Sequence, residues 1–204
     1  MRMTTIAILA VVSVASTLAA GDEAGASAAS TPAVGDEAAA GQLLRGTDRA
    51  KITEAVADHE PFALDQTVRL AVEVEMLPGM HVNANPPAFE WMIPVEISIK
   101  GAEGVSLIEA FYPEPISVKF PYDDQPYLVY QGRFVLGLVL TIGADIPAGG
   151  RELEIVLDYQ ACDDQACYAP ADTSIKIPIM IVADASQSRA VSSPLLDRAP
   201  FPKN

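Results

Sequence analysis

The sequence predicts an all-β protein, an immunoglobulin-like β-sandwich over residues 61–183 with a low-complexity tether before it and a tail after it. Three observations carry this. Thr67 to Met76 reads TVRLAVEVEM, with Val68, Leu70, Val72, Val74 and Met76 on one face and Arg69, Glu73 and Glu75 on the other. A period of two marks a half-buried strand, and Ile175, Ile177, Ile179 and Ile181 repeat it. Turn formers separate about seven such short runs, as expected of a sandwich. The length of the segment suits one such domain, a barrel being the main competitor.

Residues 1–20 have the layout of a cleavable export signal: Arg2, an apolar run from Thr4, and small residues closing it at Ala19 and Ala20. That run is shorter than the roughly 20 residues a membrane span needs. Residues 21–60 are read as the tether. Ala, Gly, Asp, Glu, Ser and Thr dominate its first part without hydrophobic period, and GTDRAKITEAVAD over 46–58 suits a short helix capped by Thr47 or Asp48. Leu77-Pro78-Gly79 makes a turn after the first long strand. Strands are expected at His81–Asn83, Met92–Ile99, Val105–Phe111, Tyr127–Tyr130, Arg133–Ile142, Glu152–Tyr159 and Ser174–Val182. Pro178 inside the last run suits an edge strand or a bulge. Residues 184–204, polar and Pro-containing, read as a loose tail.

The formal charge of −14, from 27 acidic and 13 basic residues, argues against nucleic acid or anionic lipid as partner. It suits an exported, soluble protein. An export signal also places the two cysteines in an oxidising compartment, where a disulfide is the default state.

Cys162 and Cys167 sit in LDYQACDDQACYAP, between two expected strands. They bracket a tight, hairpin-like connection, and facing residues across such a pair lie close enough for a disulfide. A staple across about six residues removes only roughly 2 kcal/mol of unfolded-state entropy. A small exposed loop disulfide is easier to reach and to reduce. Spacing alone leaves staple and redox pair equally open. With two thiols and two histidines in the chain, a metal site is the weaker reading, and no cofactor is implied. Asp163 and Asp164 between the cysteines should disfavour a thiolate and raise the thiol pKa. The pair is therefore expected to be a passive relay attacked by a partner's thiolate.

Tyr159-Gln160-Ala161-Cys162 and Cys167-Tyr168-Ala169-Pro170 resemble the Tyr-Gln-x-Cys and Cys-x-x-Pro signature of the N-terminal domain of DsbD, the thiol:disulfide interchange protein. Leu77 to Pro86, Trp91 to Glu96 and Tyr112 to Pro115 are similar too, in the same order. The resemblance implies a periplasmic immunoglobulin-like domain. Its cysteine pair would take electrons from a membrane-associated thioredoxin-like domain and hand them to disulfide isomerases or cytochrome-maturation factors. It gives Cys167 the mixed disulfide with the partner and Cys162 the resolving role. It also implies an aromatic cap over the cysteines, here between Pro115 and Tyr127, with Phe120 or Tyr122 as the shielding ring. Ordinary packing is the alternative for both rings. Where the family carries tyrosines after the first turn, this sequence has His81 and Asn83. His81 is a candidate to stabilise a thiolate, or simply a hydrogen-bonding loop residue. The full interchange protein also carries a membrane domain and a C-terminal thioredoxin-like domain. Neither is in this sequence, so the resemblance implies a free-standing version whose donor is another polypeptide. The alternatives are a non-redox binding module with a structural disulfide, and a copper-handling protein using Cys162, Cys167 and His81.

Overall fold

The computed structural model describes residues 48–121 and 123–203. The expected signal and the tether up to residue 47 lie outside them, as does Tyr122. The described residues form an immunoglobulin-like β-sandwich. Its strands are β1 (Ala50–Ala57), β2 (His59–Glu60), β3 (Phe62–Ala63), β4 (Thr67–Met76), β5 (His81–Asn83), β6 (Glu96–Lys100), β7 (Val105–Phe111), β8 (Ile116–Lys119), β9 (Pro126–Gln131), β10 (Arg133–Ile142), β11 (Gly149–Tyr159), β12 (Ala161–Cys162), β13 (Ala171–Val182) and β14 (Arg189–Ala190), followed by helix α1 (Pro194–Arg198). One sheet has the order β1-β4-β10-β7 and the facing one β3-β13-β11-β6. Val68, Leu70, Val72 and Val74 of β4 and Leu136, Leu138 and Leu140 of β10 meet Leu153, Ile155 and Leu157 of β11 in one core. Pro178 sits where β13 is paired only to β11, which suits its missing N–H.

A third sheet, β12-β5-β9-β8, caps one end. It is built by prolonging strands of the two large sheets. The chain bends from β4 into β5 through Gly79 (φ 80) and from β9 into β10 at Gly132 (φ 63). Both backbones are in the left-handed region that favours glycine. β12 prolongs β11 past Gln160 and brings Cys162 opposite His81.

Four expectations are corrected. The helix over 46–58 is instead strand β1, so the folded unit starts before residue 61. Ala50, Ile52, Ala55 and Ala57 pair with Met76, Val74, Val72 and Leu70, and a bulge between Ile52 and Glu54 slips the register by one residue. That slip breaks the period of two and hides the strand in the sequence. The second correction concerns the tail, which is docked rather than loose. Ser193 caps α1, its Oγ accepting from the Leu195 N–H at 3.2 Å, and Leu195 is buried against Ala71 and Val135 on the outer face of the first sheet. Third, the strand expected at Met92–Ile99 begins only at Glu96. Before it, Asn83 and Asn85 donate through Nδ2 to the carbonyls of Ile93 (2.9 Å) and Val95 (3.0 Å), so side-chain bonds flank the backbone bond from the Val95 N–H to the Asn83 carbonyl (3.1 Å) where Pro94 interrupts a regular ladder. Lastly, the region assigned to the cap opens with a short edge strand, β8, before its turn.

Candidate functional site

The third sheet has two faces. Val82, Ala84, Tyr130 and Ala161 point into the main core. Strand alternation puts His81, Asn83, Gln160 and Cys162 on the opposite face with Tyr127 and Val129. There Met92, Phe120, Tyr127 and Val129 make a second, smaller core.

Cys162 and Cys167 are disulfide-bonded across a tight turn, with Cα atoms 4.0 Å apart. Asp163 holds the turn. Its Oδ1 accepts from the N–H groups of Gln165 and Ala166, both at 2.8 Å, and its Oδ2 from the Tyr168 hydroxyl at 2.6 Å. The sequence places an Asp first in this turn because its short carboxylate can cap the N–H groups two and three residues on. The Tyr168 hydroxyl and the two N–H groups hold the Asp163 carboxyl below its usual range, and the same bond to Asp163 pushes the Tyr168 hydroxyl up. Gln160 Nε2 donates to the Tyr168 carbonyl at 3.0 Å and closes the loop from the other side. The guanidinium of buried Arg49 lies 3.6 Å over the Tyr168 ring, a cation–π contact.

The two sulfur-bearing residues differ in access. Cys162 is 1% exposed, whereas Cys167 lies at the surface. Phe120 stacks on His81, with centroids 4.6 Å apart and planes at 21°, and meets Tyr127 edge-on at 5.4 Å. The Tyr127 hydroxyl donates to Asp123 Oδ2 at 2.8 Å and fastens the turn that follows Phe120. Burial pushes the His81 pKa down, and the nearby Asp163 carboxylate partly opposes this. Asn83 is buried, and its Oδ1 has no hydrogen-bond partner. Beside Cys167 opens a cleft of about 450 Å³, lined by Asn83, Trp91, Met92, Ile93 and Tyr127 among others. Trp91 is 71% exposed at its rim.

Of the residues singled out in the sequence, Cys162, Cys167, His81, Asn83, Phe120, Asp163 and Tyr168 come together at this end. Asp164 is exposed at the tip of the turn. Arg49 was not foreseen, because it lies in the segment read as tether. Its one signal is the Ala50, Ile52 alternation that follows it. Among the described residues, no group of three or more His, Cys, Asp or Glu side chains is arranged to hold a metal ion.

Residues 51–178 match the family described as thiol:disulfide interchange protein DsbD, N-terminal. The chain belongs to the DsbD N-terminal family. Membership together with the disulfide-bonded pair indicates chemistry of the thiol–disulfide interchange type. This DsbD N-terminal-family chain is also similar to the N-terminal periplasmic domain of ScsB from Proteus mirabilis, at 19% identity and a TM-score of 0.43, over 64% of this chain and 47% of that one. It thus spans about half of the ScsB chain it matches, 47%. A second similar structure is the reduced N-terminal domain of DsbD from Neisseria meningitidis, at 17% identity and a TM-score of 0.39, over 75% of this chain and 98% of that one. A third is the complex between the DsbD and PilB N-terminal domains from the same organism, at 16% identity and a TM-score of 0.35, over 60% and 81%. No curated protein matches the chain. No helix among the described residues is long and apolar enough to cross a membrane.

Proposed function

We propose that the protein is a periplasmic electron relay, a thiol:disulfide oxidoreductase that carries two electrons in the Cys162–Cys167 pair between thioredoxin-like domains. The observation that supports this beyond family membership is the asymmetry of the pair, with Cys167 exposed and Cys162 buried. Exchange requires a thiolate to approach one sulfur along the disulfide axis, and here only Cys167 offers an open approach. A partner thiolate attacks Cys167 Sγ, the bond between the two cysteines breaks, and Cys162 leaves with the electron pair. The partner's second thiol then attacks its own sulfur in the mixed disulfide and releases Cys167. The relay is left as a dithiol and the donor as a disulfide. The same steps reversed, with Cys167 attacking and Cys162 resolving, reduce a client. Phe120 serves as the shielding ring, and the cleft with Trp91 at its rim lies where a partner would sit.

Trapping tests the assignment. Cys162→Ala should accumulate a mixed disulfide through Cys167 with a thioredoxin-like domain, visible as a mass adduct removed by dithiothreitol. Cys167→Ala should give little. Equal adducts from both variants would contradict the division of roles, and none from either would remove the relay.

A further inference from the structure

When the disulfide opens, Cys162 receives the electron pair in a place badly suited to hold it. The residue is 1% exposed, and the Asp163 carboxylate follows it in the chain. A buried anion beside another anion is costly, so a proton has to be delivered. Most hydrogen-bond donors around the site are committed. The Tyr168 hydroxyl is held by Asp163, the Tyr127 hydroxyl by Asp123, the Asn83 amide by the Ile93 carbonyl and the Gln160 amide by the Tyr168 carbonyl.

His81 is the exception. It is the cross-strand partner of Cys162, which puts the two side chains on one face with Cβ atoms roughly 4.5–5.5 Å apart. Its ring is fixed from the other side by the stack with Phe120. Among the described residues no hydrogen bond ties either ring nitrogen. The groups facing it are Cys162 and Asp163 from the β12 side, neutral Gln131 from β9, and the Phe120 ring. Asp163 is the charge that acts on it, and a carboxylate holding three donors can attract a proton on His81 without taking it.

Resting on the relay reading, we infer that His81 is the acid–base partner of Cys162. As a thiolate bonds to Cys167 Sγ and the disulfide breaks, the imidazolium gives its N–H proton to Cys162 Sγ, which leaves as a thiol. The neutral imidazole regains a proton from solvent. In the oxidising direction the neutral imidazole removes the thiol proton as Cys162 attacks the mixed disulfide. Reduction is then favoured below the imidazole pKa, and resolution above it.

The test uses dithiothreitol, so it reads His81 whether or not a thioredoxin-like domain reacts. The rate of disulfide reduction, divided by the concentration of dithiothreitol thiolate, is followed from about pH 4 to pH 8, around the usual imidazole range. The native protein should lose roughly a hundredfold as the imidazole deprotonates, at the low end for a positioned proton donor. His81→Gln should be flat and slow throughout. In Cys167→Ala, the His81 ring resonances should show a second inflection at the Cys162 thiol pKa. This NMR readout decides alone should His81→Gln not fold. Superimposable profiles for native protein and His81→Gln, or no second inflection, would overturn the inference. A failure of mixed-disulfide trapping beside an intact His81 profile would instead count against the relay.

Discussion

At the residue scale, the site joins a buried Cys162, paired across the sheet with His81, to an exposed Cys167 beside a cleft. Phe120 is 7% exposed and packs on both His81 and Tyr127. Phe120→Ala should cost about 3 kcal/mol of stability, as large core truncations do. It should also open the buried side of the disulfide. Reduction by dithiothreitol should speed up several-fold, and an unchanged rate in a folded variant would mean that the ring packs without shielding. Much of this cluster was legible in the sequence. Four residues between two cysteines fix a short turn, and alternation along HVN places His81 and Asn83 on one face. The family pattern pointed to an aromatic near Phe120. What pattern could not show was Asn83 with one amide end bonded and the other bare. Nor could it show Arg49, just before a strand the period had concealed, reaching back over Tyr168.

At the element scale, the C-terminal segment is held by a charge that the alternation of β4 places on the outer face. Glu73 is nevertheless buried, because α1 covers it. Its Oε1 accepts from Arg198 at 2.8 Å and its Oε2 from Thr53 at 3.0 Å, with Arg133 at 3.6 Å. The Arg198 bond above all holds the Glu73 carboxyl below its ordinary value of 4.5. A carboxyl with a lowered folded pKa contributes stability that is full above the unfolded value and is lost as pH falls through the folded one. Glu73→Gln should therefore lower the urea midpoint at pH 7, and the gap between native and variant should close only as pH falls below the ordinary Glu range, through the lowered folded pKa. A gap that persists at low pH would assign the loss to packing instead. Phe201 adds a steric key. A Cβ on Gly137 would meet its ring at 2.8 Å, and the ring stands edge-on to Phe111. Polar, Pro-containing composition reads as a loose tail because Leu195 and Phe201 are single anchors without a period.

At the scale of the whole molecule, the N-terminal limit of the folded unit bears on the site through β1 and the Arg49 that precedes it. The first sheet needs β1 as its edge. Without it, one side of β4 loses its backbone partners from Leu70 to Met76, and an apolar strand edge faces water. Ile52, 4% exposed, leaves the core, a loss of roughly 2–3 kcal/mol in burial alone. Arg49 goes with it, taking the contact on Tyr168 and the carbonyl that accepts from the Leu77 N–H at 2.8 Å. That bond lies at the bend from β4 into β5, so its loss reaches His81. A chain of residues 48–203 should therefore unfold in one cooperative urea transition and keep the native rate of disulfide reduction. A chain starting at residue 61, the boundary that composition alone suggests, should aggregate or unfold at markedly lower urea, with its disulfide reduced faster. Equal urea midpoints for the two would show that β1 is an accessory strand and that the sandwich closes without it.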